Sequence, residues 1–324
     1  MIDYNTLSTL GFDRNPLVGI YQTADQTRIG HAVRMAVTDK SLLVVSGRRG
    51  MGKTTAVSRA LSAMAKDGGL AIIQPNRVEV EQIRAGDLLV SAILDLSDER
   101  PKQQREPRFR QAARIIGIGS TKKSVVLLIE EAHSLSYHTI LTLKRLREVS
   151  YQGVFPLLSI ILVGQRNPLL YSRALDEVRL RSMSVDMQGI TAQEATEIIQ
   201  TAVGKVFEPD AVRFAAQSTP VWIDLQNILA CAMTHAVAMA RQTVTVEDVR
   251  IAAREIDPTS SAATISNLGE VAKSLGIGTK TLAEKAGVTE SQAMHALAGR
   301  AVNPEARTRL ANYLESELGK SKAA

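Results

Sequence analysis

The stretch "LLVVSGRRGMGKTTAVSRALSAM" (Leu42–Met64) decides how the rest of the chain is read. A short, β-branched apolar run, Leu42–Ser46, gives way to a glycine-rich turn, and a segment with helical apolar spacing follows. Gly47–Thr54 fits G-x-x-x-x-G-K-[S/T] without a mismatch, and the strand before and helix after it are the context in which that pattern cradles phosphate. Gly47, Gly50 and Gly52 let backbone N–H groups curl toward the β- and γ-phosphates, and the helix that follows offers its positive end. Lys53 is expected to neutralise phosphate oxygens and Thr54 to offer its hydroxyl to magnesium, with Thr55 beside them among the nucleotide contacts. The expected ligands are ATP and Mg2+.

A second stretch, "SVVLLIEEAHSL" (Ser124–Leu135), runs an apolar segment into adjacent carboxylates. Charge at the end of a buried strand is costly without a partner. A metal beside the phosphates supplies one: Glu130 is placed to reach magnesium through its water shell, and Glu131 to act as the base that positions the lytic water. His133 reads as a solvent-facing residue at a helix start. A third apolar run, "SIILVGQ" (Ser159–Gln165), ends in an amide that can bond the lytic water or the γ-phosphate, which makes Gln165 a sensor candidate.

The 324 residues are enough for several compact units, and the 45% apolar and 22% charged fractions are those of an ordinary folded protein. A single cysteine, Cys231, allows no internal disulfide and fits a reducing cytosol, hence a cytoplasmic expectation. The N-terminal stretch lacks the basic-then-apolar pattern of a secretory signal, and no apolar run reaches the ~18 residues of a membrane span. The net charge of +6 favours a polyanionic partner. Apolar runs at 42–46, 70–74, 125–129 and 159–163 alternate with helical stretches, which predicts a parallel sheet covered on both faces. From Thr191 the texture is wholly helical. Thr191 with Glu194, and Thr245 with Asp248, have capping-box spacing. The expected domains are 1–190 (α/β, with an N-terminal lead), 191–256 (helical lid), 257–266 (linker) and 267–324 (small helical domain).

"GRRGMGKT", the acidic strand end and "ILVGQ", in this order and followed by a helical subdomain, resemble the AAA+ ATPases, and the resemblance covers roughly residues 10–256. Within that class the chain looks most similar to transposition helper ATPases, typified by the phage Mu B protein and IstB-like proteins. "ILVGQ" also occurs in ExeA-like secretion ATPases. The fold implied is a P-loop AAA+ parallel-sheet ATPase domain with an α-helical lid. The resemblance also implies a nucleotide at a subunit interface, with a neighbour's arginine on the γ-phosphate; Arg179 and Arg181 stand at the matching segment. The chain departs from the family in having Glu130 where Asp is usual. It also has no arginine in "STPVWIDLQNIL" (Ser218–Leu229), where the lid often carries one. Slow, switch-like hydrolysis is therefore expected.

The C-terminal stretch "GTKTLAEKAGVTESQAMHALAGR" (Gly278–Arg300) has the rhythm of a helix-turn-helix and resembles the λ-repressor type of DNA-binding fold. Thr289, Ser291, Gln292 and His295 would line the recognition helix, and Lys280, Lys285 and Arg300 would meet phosphates. A second basic zone, "ERPKQQREPRFRQAAR" (Glu99–Arg114), reads as an exposed loop leading into a helix. Its Arg105, Arg108 and Arg110, with Lys144, Arg145 and Arg147 further on, are candidates for gripping a duplex. The expected activity is ATP-dependent, largely non-specific binding of double-stranded DNA by a helical or ring-shaped homo-oligomer that recruits a transposase, with no membrane partner. The alternatives are a secretion-linked or signalling ATPase and a replication initiator or helicase loader.

Overall fold

The computed structural model describes residues 2–18, 21–66, 68–75, 83–171, 175–256 and 277–297, and the single positions 268, 272, 303, 306, 309, 310, 313 and 314. The expected linker 257–266 and Arg300 lie outside the described residues. The chain divides into two compact units. One comprises Ile20–Ala195 with Pro220–Ile223, the other Met1–Gly19, Thr196–Thr219 and Asp224–Ala324.

The first unit is built on a five-stranded parallel sheet: β1 (Leu42–Ser46), β2 (Leu70–Ile73), β3 (Ser124–Ile129), β4 (Leu158–Gly164) and β5 (Ser182–Asp186), in spatial order β2-β3-β4-β1-β5. Helix α2 (Ala24–Thr38) and helix α3 (Lys53–Ala65) cover one face. Helices α4 (Ala85–Leu96), α5 (Arg105–Ser120) and α6 (Tyr137–Arg147) cover the other. The strands sort their residues with a period of two. Leu42 and Val44, like Leu127 and Ile160, join the core under α4–α6, while Leu43 and Val45, like Leu128 and Ile161, join that under α2 and α3. Both faces are dry, so these strands read as unbroken apolar runs rather than alternating ones.

The four strands expected from the sequence are present. The fifth, β5, falls in the segment read as carrying loop arginines: Arg179 lies on helix α7 (Asp176–Leu180) and Arg181 at its C-cap, directly before β5. β4 lies between the acidic strand β3 and the loop strand β1. The basic zone is as read, a loop running into α5.

The second unit is helical: α1 (Tyr4–Thr9), part of α8 (Ala192–Val203), α9 (Pro209–Ser218), most of α10 (Trp222–Ala238) and α11 (Val246–Ile256). The lead Met1–Gly19 groups here rather than with the α/β domain, and Gln226 Nε2 donates to the Leu17 carbonyl at 2.6 Å. Both capping boxes form. Thr191 N–H donates to Glu194 Oε2 and Glu194 N–H to Thr191 Oγ1, which closes the α8 N-terminus reciprocally. Asp248 does more than cap α11. Fully buried, it accepts from the Thr245 N–H and hydroxyl, from the Arg241 guanidinium and from His235 Nδ1. Burial alone would raise its pKa; the hydrogen bonds of Arg241, Thr245 and His235 outweigh this and hold the carboxyl well below the usual range.

Toward the C-terminus, α12 (Thr279–Ala286) ends at Gly287 in the left-handed conformation, and α13 (Glu290–Leu297) begins after Thr289. Thr289 and Gln292 bond one another's backbone N–H groups, as a capping box does. Leu282, Ala283, Ala293, Ala296, Leu310 and Leu314 form a separate small core.

Replacing Asp248 by Ala leaves Arg241 and His235 facing an empty buried site and should cost about 2–3 kcal/mol, read as a lower denaturant midpoint. Because the folded pKa is lowered, this stabilisation is present at neutral pH and lost as pH falls below about 4. The gap between variant and wild type should shrink over that range.

Candidate nucleotide-binding site

The carboxyl ends of the parallel strands converge on one edge of the sheet, where open α/β folds bind their ligands. β1 delivers the loop Gly47–Gly52, β3 delivers Glu130 and Glu131, and β4 delivers Gln165. Gly47, Gly50 and Gly52 have φ of +150°, +84° and +91°, and Gly52 is the N-cap of α3. A Cβ at Gly50 would lie 2.3 Å from Ile223 Cγ2, whereas one at Gly52 would meet nothing within 4 Å. Gly50 is thus needed for both conformation and space, Gly52 for conformation alone.

Lys53 Nζ donates to the Gly47 and Arg48 carbonyls, both at 2.8 Å, so its ammonium sits inside the curl of the loop. Burial pushes the Lys53 pKa down, and the charge of Glu131 works against that shift. Across from it, burial pushes Glu130 up and the neighbouring Glu131 adds to the rise. A half-buried carboxylate crowded by a second one is a site that a divalent cation relieves. Among the described residues no group of three or more His, Cys, Asp or Glu side chains forms a metal cage. That fits magnesium, which keeps waters and phosphate oxygens and takes only one or two protein oxygens. Thr54 and Thr55, on the first turn of α3, are exposed beside the loop.

Glu131 is held in the left-handed region at φ +50°, ψ +35°, a conformation that costs a non-glycine residue roughly 1–3 kcal/mol. It starts a single 3₁₀ turn, Ala132–Ser134, tied back by Ser134 N–H and Oγ to the Glu131 carbonyl. His133 lies between the sensor candidate and the acid, with Nδ1 3.4 Å from Glu131 Oε2 and 3.5 Å from the Gln165 N–H. His133, read from sequence as a solvent-facing helix start, instead bridges two strand ends.

Sequence reasoning also missed the segment Pro220–Ile223. It carries no arginine. Instead it lays apolar side chains on the phosphate loop, and Ile223 N–H donates to the Gly50 carbonyl at 3.3 Å. Trp222, the only tryptophan in the chain, meets Tyr21 edge-on at 5.3 Å. On the other side of the loop, Ser46 Oγ donates to Asp186. Buried Asp25 accepts from the Gln188 and Gly189 N–H groups and pairs with Arg28.

Arg179 and Arg181 are not part of this cluster. Arg179 pairs with Asp176 at 2.9 Å, and Arg181 lies 3.7 Å from Glu177. Ser182, next to Arg181, is in register with Leu42, the first residue of β1. The two arginines therefore stand at the amino end of the sheet, about 13 Å of strand from the loop. The other basic candidates are scattered. Arg108 donates to the Lys102 and Gln103 carbonyls, Arg110 pairs with Glu106, and Lys144 pairs with Glu177 at 2.6 Å; Arg105 and Arg145 are exposed. On α13 Ser291 is exposed, His295 is half-buried, and the Gln292 amide is turned back onto Thr289; Lys280 is on α12.

Residues 35–170 match the family model for the AAA domain. The fold is that of the P-loop AAA+ proteins, a parallel sheet with the phosphate loop after its first strand and a helical region behind. Cdc6p from Pyrobaculum aerophilum is similar over 96% of this chain and 90% of its own, at 13% identity and a TM-score of 0.60. The ORC2 protein of Aeropyrum pernix in its ADPNP–ADP complexes is similar over 96% and 99%, at 16% and 0.55. Drosophila ORC bound to DNA is similar over 99% and 86%, at 19% and 0.55. At these identities the likeness is one of fold. No curated protein matches the sequence. No described helix is long and apolar enough to cross a membrane.

Gly50→Ala should destabilise the AAA+ core by about 2 kcal/mol or more, because strain and overlap with Ile223 add. Gly52→Ala should lose only the strain, roughly 1 kcal/mol. Unfolding midpoints decide; equal losses would contradict the apposition of Ile223 and the loop.

Proposed function

We propose that this protein is an ATP-hydrolysing switch that holds double-stranded DNA while ATP keeps its subunits assembled. The observation that carries the proposal is the convergence of the phosphate loop, Lys53, the Glu130–Glu131 pair and Gln165 on one sheet edge. In this reading, N–H groups of Gly47–Thr55 and the α3 N-terminus bind the β- and γ-phosphates, and Lys53 swings from its loop carbonyls to them. Thr54 and Glu130 would hold magnesium, which would supply charge neutralisation at the phosphates. Glu131 takes the proton of the attacking water, and Gln165 orients that water.

Arg179 and Arg181 cannot reach the loop of their own chain along the sheet. Their γ-phosphate partner is that of a neighbouring copy, and such head-to-tail contacts build rings or helices. Nucleotide binding then controls assembly, and assembly sets the affinity for DNA.

The chain is similar in fold, over 96% or more of its length, to Cdc6p and ORC proteins, one of them bound to DNA. That likeness favours a replication initiator or helicase loader. A second reading, a helper that marks target DNA and recruits a transposase, is favoured by local features. Glu130 replaces the usual Asp, and the segment at the phosphate loop offers Val221, Trp222 and Ile223 in place of an arginine. Both suit a slow switch. Footprinting separates the two: protection of one defined site supports the initiator, and sequence-independent coverage supports the helper.

Lys53→Ala should abolish the ATP-dependent gain in DNA affinity in a binding titration; equal gain in variant and wild type would refute the proposal. Glu131→Gln should slow ATP turnover by roughly 100-fold or more and lengthen the life of DNA-bound assemblies, with ATP still bound. Turnover at the wild-type rate would remove Glu131 from the mechanism.

A further inference from the structure

Several arginines and lysines of the sheet domain face a carboxylate, as Arg110, Arg114, Lys144, Arg179 and Arg181 do. Arg34 and Arg59 share one groove without such a partner. On the outer side of α2 and α3 a groove of about 340 Å3 runs between the helices, and Arg34 and Arg59 stand on its rim with His31 and Gln26. No Asp or Glu lines it. Arg34 Nη2 faces His31 Nδ1 at 3.2 Å and Arg59 Nη1 donates to Gln26 Oε1 at 3.2 Å, so neither guanidinium faces a carboxylate there. Both arginines are exposed, and neither is in an ion pair among the described residues. Gly30 and Ala60 keep the floor low, so a bulky anion can approach between the rims.

We propose that this groove takes the phosphodiester backbone of duplex DNA, a contact surface additional to the basic loop and the C-terminal helices. The inference rests on the DNA-binding reading above. A carboxylate-free lining with two planar guanidinium donors and amide donors is suited to non-bridging phosphate oxygens, which accept such donors bidentately. The contacts would be to phosphate alone, so they add affinity and salt dependence and carry no base sequence. A peptide partner is the less favoured occupant, because the small residues of the floor offer no apolar pocket for an anchoring side chain.

The test is a titration of random-sequence duplex with the full chain at saturating ATP, over a series of salt concentrations. Arg34→Gln/Arg59→Gln should bind at least tenfold more weakly at low salt, and its slope of log affinity against log salt should be shallower by about 2. Its ATP binding should be unchanged, and Arg34→Lys/Arg59→Lys should restore most of the slope. If wild type binds DNA and the Gln variant matches it in affinity and slope, the groove is not a DNA surface and the proposed function stands. If wild type with ATP bound has no affinity for DNA, both fall. If the variant loses ATP-dependent self-association measured without DNA, the groove belongs to a second copy of the chain and this proposal is overturned.

Discussion

The structure depends on charges held at the carboxyl ends of strands that are otherwise dry on both faces. Lys53 is drawn into the loop by carbonyls and stabilised by the charge of Glu131, while Glu130 is half-buried and crowded by the same neighbour. Each group alone would be a liability at the end of a buried strand. Together they make an edge with one cation and two anions, the balance that the proposed triphosphate and divalent ion would complete. The left-handed backbone at Glu131 adds strain at the same place, as expected where a fold gives up stability to aim a side chain.

That edge is only half of the proposed machine. Parallel strands put the phosphate loop at one end of β1 and Arg181 at the other, so no single chain can bring the arginine to its own nucleotide. In the proposed function this separation links chemistry to assembly, with the nucleotide of one copy completed by the next. Pro220–Ile223 gives the loop a second connection, since Ile223 packs where a side chain at Gly50 would be. The loop therefore meets Val221 and Ile223 through apolar contacts rather than through an ion pair.

Much of this was legible in the sequence. β1, β3 and β4 could be placed because burial on both faces leaves unbroken apolar runs, and the loop because its glycines are required by conformation. The edge strand β5 was not, because Ser182–Asp186 is half-exposed and polar at alternate positions, which resembles a loop. Glu131 could be named but not its backbone, since nothing in a glutamate marks a left-handed turn. Val221 and Ile223 lie some 170 positions from the loop they touch, and only tertiary packing brings them there. The sole tryptophan in an aromatic-poor chain was the available clue. Arg34 and Arg59 belong to no motif; their shared groove exists because two helices pack side by side on the sheet. Conversely, Arg108 and Lys144 look free in a basic stretch, and only the structure shows the carbonyls and the carboxylate that hold them.

The most direct test of the account is equilibrium dialysis of the full wild-type chain against labelled ATP with magnesium. One nucleotide bound per chain, displaced by ADP and lost when magnesium is chelated, is the predicted result. No saturable binding through the millimolar range would contradict the claim that Lys53, Glu130 and Glu131 converge to hold a triphosphate and its metal.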